Sequence, residues 1–142
     1  MRRSAGFTLV EMLVVLVLVA LAATLMATAV SQGLQASRER QAVREMVYAL
    51  RQARSQAVMG NASTRLRFDL AERAYSGPGQ PRRTWPESVE VRLVTASQLG
   101  SAVAFYPDGS SSGGHLVLTR SGRAWRIDIS WLTGDVRWSA TR

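Results

Sequence analysis

Apolar and polar positions divide the chain into three stretches of unlike period. From Met12 to Val30 there are 19 consecutive residues without a charge, interrupted only by Thr24 and Thr28. As a helix this run is ~28 Å long at ~1.5 Å per residue, close to the ~30 Å hydrocarbon core of a bilayer. Further on, Ala42, Val43, Met46, Ala49, Leu50, Ala53 and Ala57 recur on one face at the helical period. Gly60-Asn61 then supplies a stop signal. The pattern predicts one long helix from about Phe7 to Met59, apolar all round in its first half and on one side in its second, with Gly33 at the junction.

Beyond residue 60 the period changes to two. Thr64 to Leu70 alternates cleanly, with Leu66, Phe68 and Leu70 expected inward. Residues 71–88 hold three of the four prolines and read as a long loop. Val89, Val91 and Leu93 suggest the next strand, and Val103 to Tyr106 another. A meander follows: His115 to Thr119, the Ser121-Gly122 turn, Trp125 to Trp131, the Gly134-Asp135 turn, then Val136 to Trp138. Ile127, Ile129 and Trp131 are expected on one face, and Arg126, Asp128 and Ser130 on the other. So few residues of sheet and loop bury little alone, so the Ala42–Ala57 face of the helix is expected to complete the core.

Composition narrows the chemistry. The 142 residues contain no cysteine, which excludes disulfides, thiolate metal sites and cysteine nucleophiles. All 18 basic residues are arginine, so a Schiff-base or phosphate-loop lysine is excluded too. His115 is the one histidine, too little for a metal centre or general-base chemistry of its own. An enzyme is not expected, and neither a cofactor nor a metal is implied. The glycine- and serine-rich stretch Gly109 to Gly114 reads as a flexible inter-strand loop. The four tryptophans, Trp85, Trp125, Trp131 and Trp138, read as core or interface anchors.

Arg2 and Arg3 precede the apolar run, and a mixed-charge stretch beginning at Arg38 follows it. Positive charge on the short N-terminal flank favours a cytoplasmic N-terminus and a translocated remainder. A cleaved secretory signal is the competing reading; the length of the run and Glu11 within the apolar block favour a retained helix. A carboxylate in a bilayer costs ~2.5–3.5 kcal/mol on insertion scales, so Glu11 calls for a partner or a position near the headgroups.

The segment Gly6-Phe7-Thr8-Leu9-Val10-Glu11-Met12, behind basic residues and ahead of an apolar run, resembles the signal of type IV pilins and pseudopilins. The resemblance implies cleavage between Gly6 and Phe7 by a prepilin peptidase, N-methylation of Phe7, and use of Glu11 in subunit registration. A second resemblance rests on Phe105-Tyr106-Pro107-Asp108-Gly109-Ser110-Ser111-Ser112-Gly113-Gly114 and on Leu132-Thr133-Gly134-Asp135-Val136, which look like the GspH/FimT group of minor pilins. Within that group the chain most resembles the H-type minor pseudopilins of type II secretion. This implies an α+β, type IV pilin-like fold with a long N-terminal helix packed against a C-terminal antiparallel β-domain. The expected organisation is a leader over 1–6, a membrane helix over 7–30, an amphipathic continuation over 31–60 and a periplasmic β-domain over 61–142. The implied partners are other minor and major pseudopilins, the prepilin peptidase, the inner-membrane assembly platform and exported proteins.

Charge leaves a rival open. Residues 31–142 carry 16 arginines against 9 acids. Arg40, Arg44, Arg51 and Arg54 fall on one side of the helix, read either as a solvated face or as a docking stripe for acidic neighbours or phosphates. Arg120, Arg123, Arg126 and Arg137 lie in the meander, interleaved with Trp125 and Trp138, a pattern that suits nucleic-acid backbones. DNA is the partner expected under the alternative reading, a type IV pilus minor pilin engaged in pilus initiation or DNA uptake.

Overall fold

The computed structural model describes residues 8–141, apart from the side chains of 27–36. The chain divides into two compact units at Ser37/Arg38. Phe7, where the helix was expected to begin, lies outside the described residues, as does Gly6.

Helix α1 runs Leu9–Met59. In the first unit its start is set by Thr8, whose hydroxyl oxygen accepts the Glu11 N–H at 3.2 Å. The Thr8 carbonyl accepts the N–H of Glu11 at 3.1 Å and of Met12 at 3.2 Å. Thr8 thus caps the helix, and Glu11 sits in its first turn, where exposed N–H dipoles favour a carboxylate. The window Leu9–Met26 has a mean hydropathy of 2.7 and is long and apolar enough to cross a membrane. Within it the Thr24 hydroxyl donates back to the Leu21 carbonyl at 2.7 Å, so this polar group needs no water.

In the second unit all seven residues of the expected apolar face, Ala42 to Ala57, are buried. The helix stops as its sequence predicts, although Asn61, not Gly60, takes the left-handed conformation, with φ at 47°. The Ala62 N–H returns to the Ala57 carbonyl at 3.2 Å, closing the terminal turn.

Eight strands follow: β1 (Thr64–Asp69), β2 (Ala74–Ser76), β3 (Arg83–Thr84), β4 (Glu90–Val94), β5 (Ala102–Phe105), β6 (Gly114–Arg120), β7 (Arg123–Ile129) and β8 (Val136–Thr141). They form two four-stranded sheets, ordered β3-β2-β1-β5 and β4-β6-β7-β8, with every pairing antiparallel. Leu66, Phe68, Val103 and Phe105 of the first sheet join Leu116, Leu118, Ile127 and Val136 of the second in one core with Met46 and Leu50. Burying each large side chain contributes about 1.5–3 kcal/mol, so the helix face holds the two sheets together.

Four expectations are corrected. Residues 71–88 are not all loop, because Tyr75 and Trp85 are buried and stack at 6.4 Å, drawing β2 and β3 onto β1. Their prolines sit outside the paired residues, where the missing N–H does no harm. Leu70 is exposed: the Asp69 carboxylate accepts the Glu72 N–H at 2.9 Å and turns the chain before Leu70 can point inward. Trp131 likewise lies beyond the end of β7 and is 67% exposed, so it does not share the buried face of Ile127 and Ile129. Finally, Gly109 to Gly114 is tied along its length. The Ser112 N–H donates to the Ala104 carbonyl and the Ser111 N–H to the Trp131 carbonyl, each at 2.9 Å. The Ser111 hydroxyl reaches the Ser130 carbonyl at 2.9 Å.

Candidate functional site

The residues that carry the second resemblance meet in space. Arg54 donates its Nε–H to the Gly109 carbonyl at 3.1 Å, and Arg51 donates to the Val136 carbonyl at 2.9 Å. Gly134, with φ at 64°, lies against both partners of the first bond; a Cβ there would collide with the Gly109 carbonyl oxygen and stand 2.9 Å from Arg54 Nε. The Phe105–Gly114 and Leu132–Val136 motifs are therefore the two walls of a joint that locks the sheets to the helix. The Asp108 carboxylate closes the first wall. It accepts the Ser110 hydroxyl at 2.6 Å and the Ser110 N–H at 3.0 Å, which hold its pKa below the usual carboxylate range. Asp135 is held low by the Arg137 side chain, whose Nε donates to it at 2.7 Å.

This geometry divides the arginine stripe of the helix. Arg51 and Arg54 donate to carbonyls of the β-domain, though Arg51 stays exposed like Arg40 and Arg44. The meander arginines divide as well. Arg120 forms an ion pair with Glu39, which is buried on the helix. Arg126 pairs with Asp128 and Arg137 with Asp135, each at 2.7 Å, and Arg123 is exposed at the start of β7. Alternation separates the aromatic partners from the charges: Trp125 is buried and faces the core with Ile127, while Arg126 faces out. Interleaving along the sequence thus does not place Trp125 and Arg126 on one surface.

His115 pairs across strands with Asp128 at the outer face of the second sheet. Among the described residues no group of three or more histidine or acidic side chains is placed to hold a metal. Trp85 and Trp125 are core residues; Trp131 and Trp138 face outward or are half exposed.

Sequence reasoning passed over Arg65 and Arg67. Both stand on the outward face of β1, the second strand in from the β5 edge, beside clefts of about 310 and 480 Å³. Their outward aspect is legible in the alternation of Thr64 to Leu70. Glu39 was also missed, since a lone acid in a mixed-charge run carries no signal of burial.

Comparison with known proteins agrees with these observations. A family described as type II transport protein GspH matches residues 42–134, and the prokaryotic N-terminal methylation motif matches residues 1–27. Type II secretion system protein H of Xanthomonas campestris pv. campestris is 37% identical over 141 residues, covering 96% of this chain and 83% of that protein. The minor pseudopilin EpsH of Vibrio cholerae superposes with a TM-score of 0.59 at 12% identity, over 71% of this chain and 95% of its own. The type IV minor pilin FimU of Pseudomonas aeruginosa superposes with a TM-score of 0.58 at 12% identity, over 72% of this chain and 97% of its own. A family match over residues 42–134, a methylation motif over residues 1–27, and a relative alike over nearly the full length converge: the chain belongs to the GspH family of type II transport proteins.

Proposed function

We propose that this chain is a minor pseudopilin of a type II secretion system, a structural subunit near the tip of a periplasmic pseudopilus that supports export of folded proteins across the outer membrane. The observation that carries the reading is the 37% identity to a type II secretion system protein H over 96% of the chain. In this role the work is mechanical. The apolar helix would enter the inner membrane once, with its N-terminus cytoplasmic, and stack with the helices of neighbouring pseudopilins. Cleavage between Gly6 and Phe7 by the prepilin peptidase, followed by methylation of Phe7, would release the helix for assembly. Glu11 would then register the subunit against its neighbour. The β-domain, locked to its helix by Arg51 and Arg54, would transmit the displacement of the helix to partner surfaces.

The test is to compare the proteins in the culture medium of a deletion strain and its complemented parent. Loss of specific secreted proteins, restored by the wild-type chain but not by Gly6→Ala, is the expected result; an unchanged secretome rejects the reading. A second reading draws on the FimU likeness, nearly equal in TM-score to that of EpsH. In that case the chain is a type IV pilus minor pilin in pilus initiation or DNA uptake, and the deletion strain loses twitching or transformation instead.

A further inference from the structure

The outward face of the first sheet carries two arginines in surroundings of unusual kind. Strand β1 buries Thr64, Leu66 and Phe68 and turns Arg65, Arg67 and Asp69 out. Directly across from Arg65 and Arg67 on β5 are Ala104 and Ala102, and across from Arg67 on β2 is Ser76. Ala102 and Ala104 are buried, whereas Arg65, Arg67 and Ser76 are exposed, so the two arginines are the groups this face offers to a partner. Clefts of about 310 and 480 Å³ are each lined by both arginines, and a third of about 550 Å³ is lined by Arg67 together with Arg82. No described carboxylate pairs with Arg65 or Arg67; Asp69, the acid on the same face, lies 3.9 Å from Arg82.

We propose that this face binds an extended acidic segment of another protein, through paired contacts of its carboxylates with Arg65 and Arg67. The spacing supplies the register. Residues two apart on a strand are separated by ~6.6 Å, so an extended partner with acids at alternate positions presents carboxylates at the same interval. Guanidinium forks bind carboxylates in bidentate fashion, and both arginines stand exposed on the strand.

Charge arithmetic selects the source. The chain carries +8, and six of its ten acids, Glu39, Glu45, Asp69, Glu87, Asp128 and Asp135, already pair within it. A second copy of this chain is thus a poor donor of carboxylates, and the occupant is a different, acidic protein. A single-stranded nucleic acid fits less well, because Phe68 and Tyr75, the aromatic side chains nearest on these strands, are buried and offer no stacking surface.

The test uses the full chain in detergent micelles and a fluorescent peptide of alternating glutamate and serine. The expected result is saturable binding that weakens with salt, falls at least tenfold in Arg65→Gln/Arg67→Gln, and changes less than twofold in Arg40→Gln/Arg44→Gln. A glutamine-for-glutamate peptide should not bind. Charge reversal, Arg65→Glu/Arg67→Glu, should transfer binding to a lysine–serine peptide, a gain of function that loss of fold does not produce. Binding unaffected by the Arg65/Arg67 changes, equal binding of the glutamine peptide, or oligothymidylate binding more tightly through the same pair would each overturn the proposal. Because binding is read on the purified chain, its failure is distinct from an unchanged secretome.

Discussion

Arg54 on the helix and Gly109 in the β5–β6 connection are joined by one hydrogen bond of 3.1 Å, with Gly134 closed over it. The bond links residues 55 apart in sequence and brings both C-terminal motifs to one point on the helix. Arg54→Ala should cost about 1.5–3 kcal/mol, the range for a hydrogen bond from a charged donor. Gly134→Ala should cost more than replacement of a freely turning glycine, since it adds a Cβ collision to a backbone at φ 64°. Thermal melts of the two single variants and the double check this. The double should fall short of the sum, because both changes break the same joint.

Glu39 and Arg120 form the most buried ion pair of the described residues. Removing one member strands the other, and truncation of one partner in a buried pair typically costs about 3–5 kcal/mol. Glu39→Gln is expected to unfold the domain at markedly lower denaturant concentration, with a smaller further loss on adding Arg120→Gln. Chemical denaturation of the four species in the cycle measures the coupling. Equal and additive losses would refute a paired role.

Tyr75 is buried with its hydroxyl lacking a hydrogen-bond partner among the described residues, and its pKa is pushed from 10.0 up to about 12. Burial is the main cause; the nearby Glu45 carboxylate raises it further and Arg83 opposes. A raised folded-state pKa means stability that is fully present below pH 10 and lost as pH climbs toward about 12. Tyr75→Phe should remove that alkaline loss. At neutral pH it should stabilise by roughly 1 kcal/mol, since an unsatisfied hydroxyl leaves the core. Melting temperature against pH for both proteins tests the two statements together.

Asp108 and Asp135 carry lowered pKa values, from the Ser110 and Arg137 contacts respectively. Depressed carboxylates contribute stability above their unfolded pKa, 3.8, that is lost as pH falls through the lower folded value. Both are exposed, so the effect should be small. Ser110→Ala should shift the acid limb of the stability curve by raising the Asp108 pKa, which carboxyl NMR titration reads directly.

Processing is checked by intact mass. Under the secretion reading the mature chain lacks six residues and carries one added methyl group. Gly6→Ala should accumulate at the unprocessed mass, while Glu11→Leu should be processed but absent from cross-linked assemblies. Glu11→Leu assembling as wild type would remove the registration role.

Elements whose signal is local follow from residue spacing alone. A charge-free run of membrane length, a seven-residue apolar face at helical period and the alternation of β1 each follow from spacing, and the helix and central strands match them. The N-terminal methylation motif is legible because it is a contiguous string of residues. Features that depend on partners far along the chain arise only on folding. Tyr75 and Trp85 turned a proline-rich loop into two short strands because burial of their rings outweighed weak strand propensity. Arg54 and Arg51 ceased to be a uniform basic stripe because carbonyls of residues 109 and 136 arrive beside them. Glu39 became a buried charge only because the β6–β7 turn delivers Arg120 to it. Periodicity reports which face of an element is apolar; which polar groups meet across the core is fixed by chain closure over tens of residues, and no local pattern encodes it.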